Sequence, residues 1–128
     1  MKKKKYKNPI PRLRNKADKL YQQVGLALNP RCECCGHPAQ CIHHFFTKAS
    51  SSYLRYDRAN GIPICQKCHL KLHKRQDPSM IAAILNKRGQ EWFDDLDRKR
   101  GTITKFTVGY LKSIIEDQEE QLLTLEIQ

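Results

Sequence analysis

Hydrophobic residues recur every three or four positions in two long stretches, one near the start of the chain and one at its end. The first stretch contains Leu13, Ala17, Leu20, Tyr21, Val24 and Leu28. The second contains Val108, Leu111, Ile115, Leu122 and Leu125, and the polar Gln118 completes a 3-4-3-4-3 spacing. This spacing places the apolar side chains on one face of a helix. We therefore predict a helix over residues 12–28, stopped by Asn29-Pro30, and a final helix capped by Thr107.

Two shorter helices are predicted before the last one. Asp77-Pro78 is a typical N-cap and first-turn pair, and Gly89 is a suitable stop about ten residues later. Residues 90–100 form a further helix around Trp92, Phe93 and Leu96. The apolar seam of the final helix has two candidate partners: the rest of the domain, or the same seam of a second copy in a homodimer.

The middle of the chain has a different pattern, in which short β-prone runs flank a polar loop. Residues 38–46 and 61–65 each predict a strand, with residues 47–58 as the loop between them. Pro63 has no amide hydrogen, which favours an edge position for the second strand. Residues 66–75 predict a helix that follows this strand directly.

These elements predict an α+β fold in four parts. They are a basic arm (1–11), an N-terminal helix (12–30), a small ββα core (31–76) and a C-terminal helical region (77–128).

Charge and composition narrow the range of partners. The net charge of the 128 residues is +11, and residues 1–20 alone hold nine Lys and Arg against one acidic residue. Residues 21–100 are basic as well, whereas residues 101–128 are acidic. A basic body favours a polyanionic partner, because neutralised phosphates release counterions.

The amount and distribution of apolar residues indicate a small core and the compartment in which we expect the protein. At 39% hydrophobic residues the core is modest, so a structural metal would help to stabilise it. No run of 18 apolar residues is present, and none follows the lysines at the start, so we expect neither a membrane span nor secretion. The protein is expected in the cytoplasm, with six cysteines that bind metal or stay reduced.

Two Cys-x-x-Cys pairs bracket the core. Cys32 and Cys35 form the first, and Cys65 and Cys68 the second. Each pair can turn both sulfurs toward one tetrahedral ion, so we predict a structural Zn²⁺ bound by four thiolates. Cys34 can replace a member of the first pair, and Cys41 is expected to be a small buried hydrophobic residue. Four thiolates leave no position for water, which makes this a supporting site.

Four of the five histidines form two pairs, one between the cysteine pairs and one just after the second. His69 and His73 are four residues apart on a predicted helix, so both rings can reach one ion. His43 and His44 are neighbours on a predicted strand and therefore point to opposite faces. That geometry suits a division of labour, with one ring on a metal and the other free beside it. Imidazole ligands favour zinc, nickel or manganese over magnesium, although magnesium stays among the candidates.

The order His-His, Asn, His, His across strand, loop, strand and helix resembles the HNH (ββα-metal) endonucleases, and especially the nuclease domains of DNase colicins. The run ICQKCHLKLH is similar to that of zinc-braced HNH proteins. The resemblance covers residues 31–76. It implies that His43, His69 and His73 bind a catalytic divalent metal (Mg²⁺, Mn²⁺, Zn²⁺ or Ni²⁺) and that His44 is the general base. It also implies that Asn60 holds the loop and orients His44 through a backbone contact.

The activity implied by this resemblance is hydrolysis of DNA phosphodiester bonds, leaving 5′-phosphate and 3′-hydroxyl ends. The segment from Arg55 through Asn60 to the second cysteine pair also resembles the phage NinG/Rap group, although His69 stands where we expect asparagine. That likeness implies branched recombination intermediates such as Holliday junctions, in a phage or prophage within a bacterial host cell. The partner is then duplex or branched DNA.

Seven basic residues border the expected site and are candidate phosphate contacts: Lys48, Arg55, Arg58, Lys67, Lys71, Lys74 and Arg75. Tyr53 and Tyr56 either stack on bases or help the loop to pack.

Several simpler interpretations compete with the nuclease. Asn60 before Gly61 could serve only as a turn, and either late histidine could replace a cysteine in the zinc site. The whole chain could then be a non-catalytic zinc-ribbon DNA-binding protein, or a zinc-stabilised protein that binds partners through its last helix.

Overall fold

The computed structural model describes residues 7–73 and 77–127. Within these ranges the chain forms five α-helices and one two-stranded antiparallel sheet, which confirms the predicted α+β class. The elements are α1 (Ile10–Leu28), β1 (Cys41–His44), β2 (Gly61–Ile64), α2 (Gln66–His73), α3 (Pro78–Arg88), α4 (Gln90–Lys99) and α5 (Val108–Ile127). No helix in the described part of the chain is long and apolar enough to cross a membrane.

β2 and α4 each end one residue before the predicted position, and the bounds of α1 and β1 differ by more. α1 begins at Ile10, two residues early, because Pro11 lies in the first turn, where its missing amide hydrogen costs nothing. β1 has four residues where nine were predicted. Pro38 makes only an isolated bridge to Arg31, and the two short 3₁₀ turns Tyr53–Tyr56 and Arg58–Asn60 occupy the connection to β2.

The two long helices pack on each other. Leu13, Ala17 and Leu20 of α1 form one buried cluster with Leu111 and Ile115 of α5. The apolar seam of α5 therefore packs on α1 of the same chain, as expected if its partner is the rest of the domain. Leu122 also packs against this cluster, so a homodimer through the seam would have to use the partly exposed Leu125 near its C-terminus.

One side chain of α1 bonds directly to the backbone of the sheet. Gln22 accepts a hydrogen bond from the backbone amide of Ile42 at 2.7 Å and donates one to its carbonyl at 2.9 Å. Its amide therefore pairs with β1 as a strand would, on the edge opposite β2. Ile42 lies between Cys41 and the two histidines, so this contact fastens the part of β1 that carries them.

Helices α3 and α4 are tied to the core by polar contacts. Arg88 forms a two-pronged ion pair with Glu33 in the first cysteine loop, with Nη2 2.6 Å from Oε1 and Nε 2.9 Å from Oε2. The indole of Trp92 donates to the carbonyl of Ala59 at 2.8 Å. Asp77 caps α3 as predicted, by accepting from the amide of Ser79 at 3.0 Å.

We predict that Gly25→Ala destabilises the fold, because α1 approaches β1 closely at this position. A Cβ on Gly25 would lie 2.5 Å from Cγ1 of Ile42 and 2.7 Å from Nη1 of Arg58. Crowding of this kind costs about 1–3 kcal/mol in the free energy of unfolding. The matched control is Gly109→Ala in α5, where nothing lies within 4 Å and alanine should stabilise the helix by about 0.5–1 kcal/mol. Denaturant unfolding of both variants measures the difference, and equal effects would contradict the close approach.

Candidate metal centres

Four cysteine sulfurs gather at one end of the sheet. Those of Cys32, Cys35, Cys65 and Cys68 all lie within 4.8 Å of one another. The first pair sits in a tight loop in which Gly36 has φ 78 and donates its amide hydrogen to the Cys32 carbonyl at 2.9 Å. Cys65 follows β2, and Cys68 lies in the first turn of α2. Four sulfurs at this spacing could hold one tetrahedral zinc ion.

The pKa values of the thiols differ within the cluster as well as beside it. Burial raises the pKa of Cys32, but hydrogen bonds from backbone amides outweigh it and bring that pKa to about 7. Burial and the neighbouring sulfurs raise the pKa of Cys34 to about 11. Burial and the neighbouring sulfurs also raise the pKa of Cys68, which belongs to the cluster. Geometry, and not ionisation, therefore places Cys34 outside the cluster.

Three histidine rings gather at a second point, apart from the sulfurs. The ring centres of His43 and His73 are 4.7 Å apart, those of His69 and His73 4.4 Å, and those of His43 and His69 5.4 Å. One nitrogen of each ring lies within 4.8 Å of the others. Neither late histidine has joined the cysteine cluster.

The exposure of the three rings decides what such a site could do. His43 is buried, His69 is half-buried and His73 is exposed. Burial first, and then the charges of His73 and His69, lower the pKa of His43 to about 3. Its imidazole is therefore neutral at physiological pH, as a metal ligand must be. Three ligands on one side and solvent on the other leave room for water or substrate on a bound ion.

His44 points to the opposite face of β1 and is held from two sides. Its ring stacks on Tyr21, with centres 4.9 Å apart and planes at 20°. Its Nε2 lies 2.9 Å from the backbone carbonyl of Arg55. A carbonyl oxygen only accepts, so Nε2 carries the hydrogen and Nδ1 keeps the free lone pair. Burial is the main cause that lowers the pKa of His44, which keeps the ring neutral and able to accept a proton.

Asn60 holds the loop that carries this carbonyl. The side chain is fully buried. It accepts from the amide of Phe46 at 2.8 Å, and it donates to the carbonyls of Phe46 at 2.9 Å and of Leu54 at 3.3 Å. The Leu54 carbonyl is one residue before the Arg55 carbonyl that lies against His44. A mere Asn-Gly turn is not the reason for Asn60, since Gly61 has an ordinary extended conformation with φ −90.

Two of the seven candidate phosphate contacts have internal partners, which departs from the prediction. Arg55 pairs with both carboxylate oxygens of Asp18, at 3.0 and 2.7 Å. Arg58 donates to the Tyr21 carbonyl at 2.9 Å and to the side-chain oxygen of Gln118 at 2.8 Å. Both guanidinium groups therefore act in packing, where they fix the loop against α1 and α5.

The other candidates are placed differently. Lys48 is exposed and lines the cavity of the histidine site. Lys67 and Lys71 line a separate cavity beside the cysteine cluster. Lys74 and Arg75 lie outside the described residues. Of the two loop tyrosines, Tyr56 packs against Tyr21 and Phe106, whereas Tyr53 is exposed.

A cavity of about 290 Å³ joins the histidines on the two faces of β1. It is lined by Gln22, Cys41, Ile42, His43, His44, Thr47, Lys48, His69 and His73. Cys41 is partly exposed here, not fully buried as expected, and its Sγ lies 3.6 Å from Nδ1 of His69. Side chains alternate along a strand, so Cys41 lies on the same face of β1 as His43. Its position in the cavity could therefore have been predicted from the sequence. No pattern in the sequence indicated Gln22.

Comparisons with known proteins add one partial match. A segment of 49 residues is 37% identical to the mitochondrial DNA mismatch repair protein mutS homolog of Sarcophyton glaucum. The match covers 35% of this chain and spans about 5% of the length of that relative. No family model matches the chain, and no solved structure matches it.

Proposed function

We propose that this protein is a metal-dependent DNA endonuclease of the HNH type. The observation that carries the proposal is the division among four imidazoles. Those of His43, His69 and His73 converge with one nitrogen each within 4.8 Å. That of His44 faces away with a fixed hydrogen on Nε2 and a free lone pair on Nδ1. A binding module needs the cysteine cluster for its fold but has no need of this second arrangement.

Each side chain has a defined task in hydrolysis. A divalent ion held by His43, His69 and His73 would neutralise charge that grows on the phosphate and on the leaving 3′ oxygen. His44 Nδ1 takes the proton from the attacking water. The Arg55 carbonyl, which accepts from Nε2, stabilises the positive ring that results. Lys48 at the cavity wall attracts the phosphate.

Charge and the partial relative support DNA as the substrate. The net charge of +11 favours a polyanion, and the matched segment belongs to a protein named for DNA mismatch repair. The likeness to the NinG/Rap group extends the proposal to branched recombination intermediates in a phage or prophage. Parallel cleavage of four-way junctions, flaps and plain duplex by one preparation tests that extension.

The proposal predicts two metal sites of different stability in each chain. Mild chelation should remove the ion held by three imidazoles at an open site, and leave the zinc held by four thiolates. His73→Ala should lower the affinity of the labile site by about tenfold or more, with little change in the fold, because His73 is exposed. Elemental analysis before and after chelation measures both ions, and a cleavage assay with added metal measures recovery.

The matched control is His37→Ala, since His37 is an exposed histidine outside the triad. This variant should keep both ions and full activity. A single chelation-resistant ion per chain, with no metal-stimulated cleavage, would instead identify a zinc-ribbon DNA-binding protein.

A further inference from the structure

A second cavity, with partly apolar walls, lies next to the histidine site. This cavity of about 360 Å³ is lined by His43, Phe45, Thr47, Leu72, His73 and Ile81. It shares His43, Thr47 and His73 with the 290 Å³ cavity described above. The two spaces are therefore separated only by two rings of the triad and one threonine. Whatever occupies the second cavity lies directly beside a phosphate bound at the triad.

We propose that this second cavity, here called the base cavity, takes an unpaired nucleobase next to the scissile phosphate. This inference rests on the proposed nuclease function and names its substrate class: DNA with unstacked nucleotides at the cut, such as a single strand, a flap or the centre of a branch. Fully paired duplex is the poorer substrate.

The chemistry of the walls favours a base. Phe45 is half-buried, and Ile81 is 41% exposed, so apolar surface faces solvent immediately beside a polar and basic site. A nucleobase has apolar faces that can cover this surface, and its own phosphate would lie on the other side of His43. A volume of this size is in the usual range of small-ligand pockets, roughly 300–1,000 Å³.

The aromatic wall is rigid. The Phe45 ring makes edge contacts with Phe46 (5.3 Å between centres, 85°), Trp92 (5.0 Å, 69°) and Phe93 (6.1 Å, 87°). A ring fixed by three neighbours loses little conformational freedom when a base stacks on it. Stacking of this kind tolerates any base, because every base has a π-face. The cavity therefore predicts a preference for unpaired structure without a preference for sequence.

A paired base cannot occupy the cavity without leaving its stack. Inside a duplex both faces of a base are covered by the neighbouring pairs, so unstacking has to come first. A nucleotide that is already unpaired avoids this cost. Because only a paired base has to be unstacked first, the cavity favours DNA with unpaired nucleotides over duplex.

Fluorescence of 2-aminopurine tests occupancy of the cavity apart from cleavage. Short single strands carry 2-aminopurine at one position at a time and are bound to the protein after mild chelation. Chelation removes the ion of the histidine site, so the strands are not cleaved during the measurement. Stacking on Phe45 should quench the fluorescence at one position, and Phe45→Leu, which keeps an apolar side chain without a π-face, should relieve the quench. Absence of any Phe45-dependent quench would overturn the proposal.

Cleavage supplies the second measurement. Removing the base next to the cut, as an abasic nucleotide, should lower kcat/KM on single strands roughly 5- to 150-fold, the loss expected for one base–aromatic stack. Ile81→Ser should act in the same direction, while Ile103→Ser, at an 87% exposed isoleucine away from the cavity, should not.

The outcomes separate the two proposals. Metal-dependent cleavage that ignores the abasic nucleotide overturns the base cavity and leaves the nuclease intact. A Phe45-dependent quench without cleavage of any DNA supports stacking of a base in the cavity but overturns the nuclease, and with it the scissile phosphate beside that base.

Discussion

His44→Ala is expected to abolish most DNA cleavage while DNA affinity and both bound metals stay unchanged. Loss of a positioned general base lowers a rate by about 10²- to 10⁴-fold. The effect should fall on kcat, because His44 lies on the opposite face of β1 from the triad rings. Its removal deprives no metal of a ligand and leaves Lys48 at the cavity wall.

The fold should tolerate this change. His44 stacks on Tyr21, and Tyr21 is independently held by a hydrogen bond from its hydroxyl to the Asp57 carbonyl at 2.9 Å. Thermal unfolding and elemental analysis verify that the variant is folded and loaded. A gel-shift assay measures DNA affinity, and a timed nicking assay measures the rate.

The same His37→Ala variant controls for loss of a histidine as such, and should cleave at the rate of the unsubstituted protein. If His44→Ala cleaved equally fast, the base would be another group in the cavity, and the assignment to His44 would be wrong. If it lost its labile metal, His44 would be a ligand and the division among the four imidazoles would fail.

The sequence predicted those parts of the site that depend on short-range geometry. A two-residue spacing brings paired sulfurs together in a turn, and a four-residue spacing puts His69 and His73 on one side of α2. Alternation along β1 sends His43 and His44 to opposite faces. Each of these relations is fixed by the local backbone, so it holds whatever the rest of the fold does.

The contacts that the sequence could not predict join residues far apart along the chain. Arg55 pairs with Asp18 and Arg58 with Gln118, separated by 37 and 60 residues. We predicted phosphate contacts from their positive charge. Nothing in the local sequence identifies Asp18 or Gln118 as the partner of either guanidinium group. The same is true of the Gln22 amide, whose partner is the backbone of β1 and carries no mark in the side-chain sequence.

Asn60 lies between these two cases. Its position between the histidine pairs indicated a role in the loop, but the route of that role depends on the 3₁₀ turn at Tyr53–Tyr56. This turn brings the Leu54 carbonyl to Asn60 and the Arg55 carbonyl to His44. A polar loop of twelve residues does not specify such a turn from its composition alone.

Cys68→Ser is expected to have the largest effect on stability. The cysteine cluster joins the loop before β1, the end of β2 and the start of α2, and the sheet has only four residues in each strand. A hairpin of this length is marginal alone. Binding of a structural zinc contributes about 10–16 kcal/mol in small zinc domains, far more than the roughly 0.5–3 kcal/mol of an ordinary substitution.

Loss of the zinc should also disrupt the histidine site. Since α2 carries both Cys68 and His69, its release separates His69 and His73 from His43, and the labile metal should be lost together with the zinc. The α1–α5 pair has its own buried cluster, so part of the helical circular dichroism should remain. Zinc content, thermal unfolding and cleavage are measured on the same sample.

Cys34→Ser is the matched control, because Cys34 lies in the same loop but outside the cluster. It should keep its zinc and unfold at the temperature of the unsubstituted protein. If Cys34→Ser lost its zinc and Cys35→Ser kept it, Cys34 and not Cys35 would be the zinc ligand. Full stability of Cys68→Ser would mean that packing around Ile64, Leu72 and Met80 holds the core without metal. The histidine site would then stand independently of the thiolate cluster.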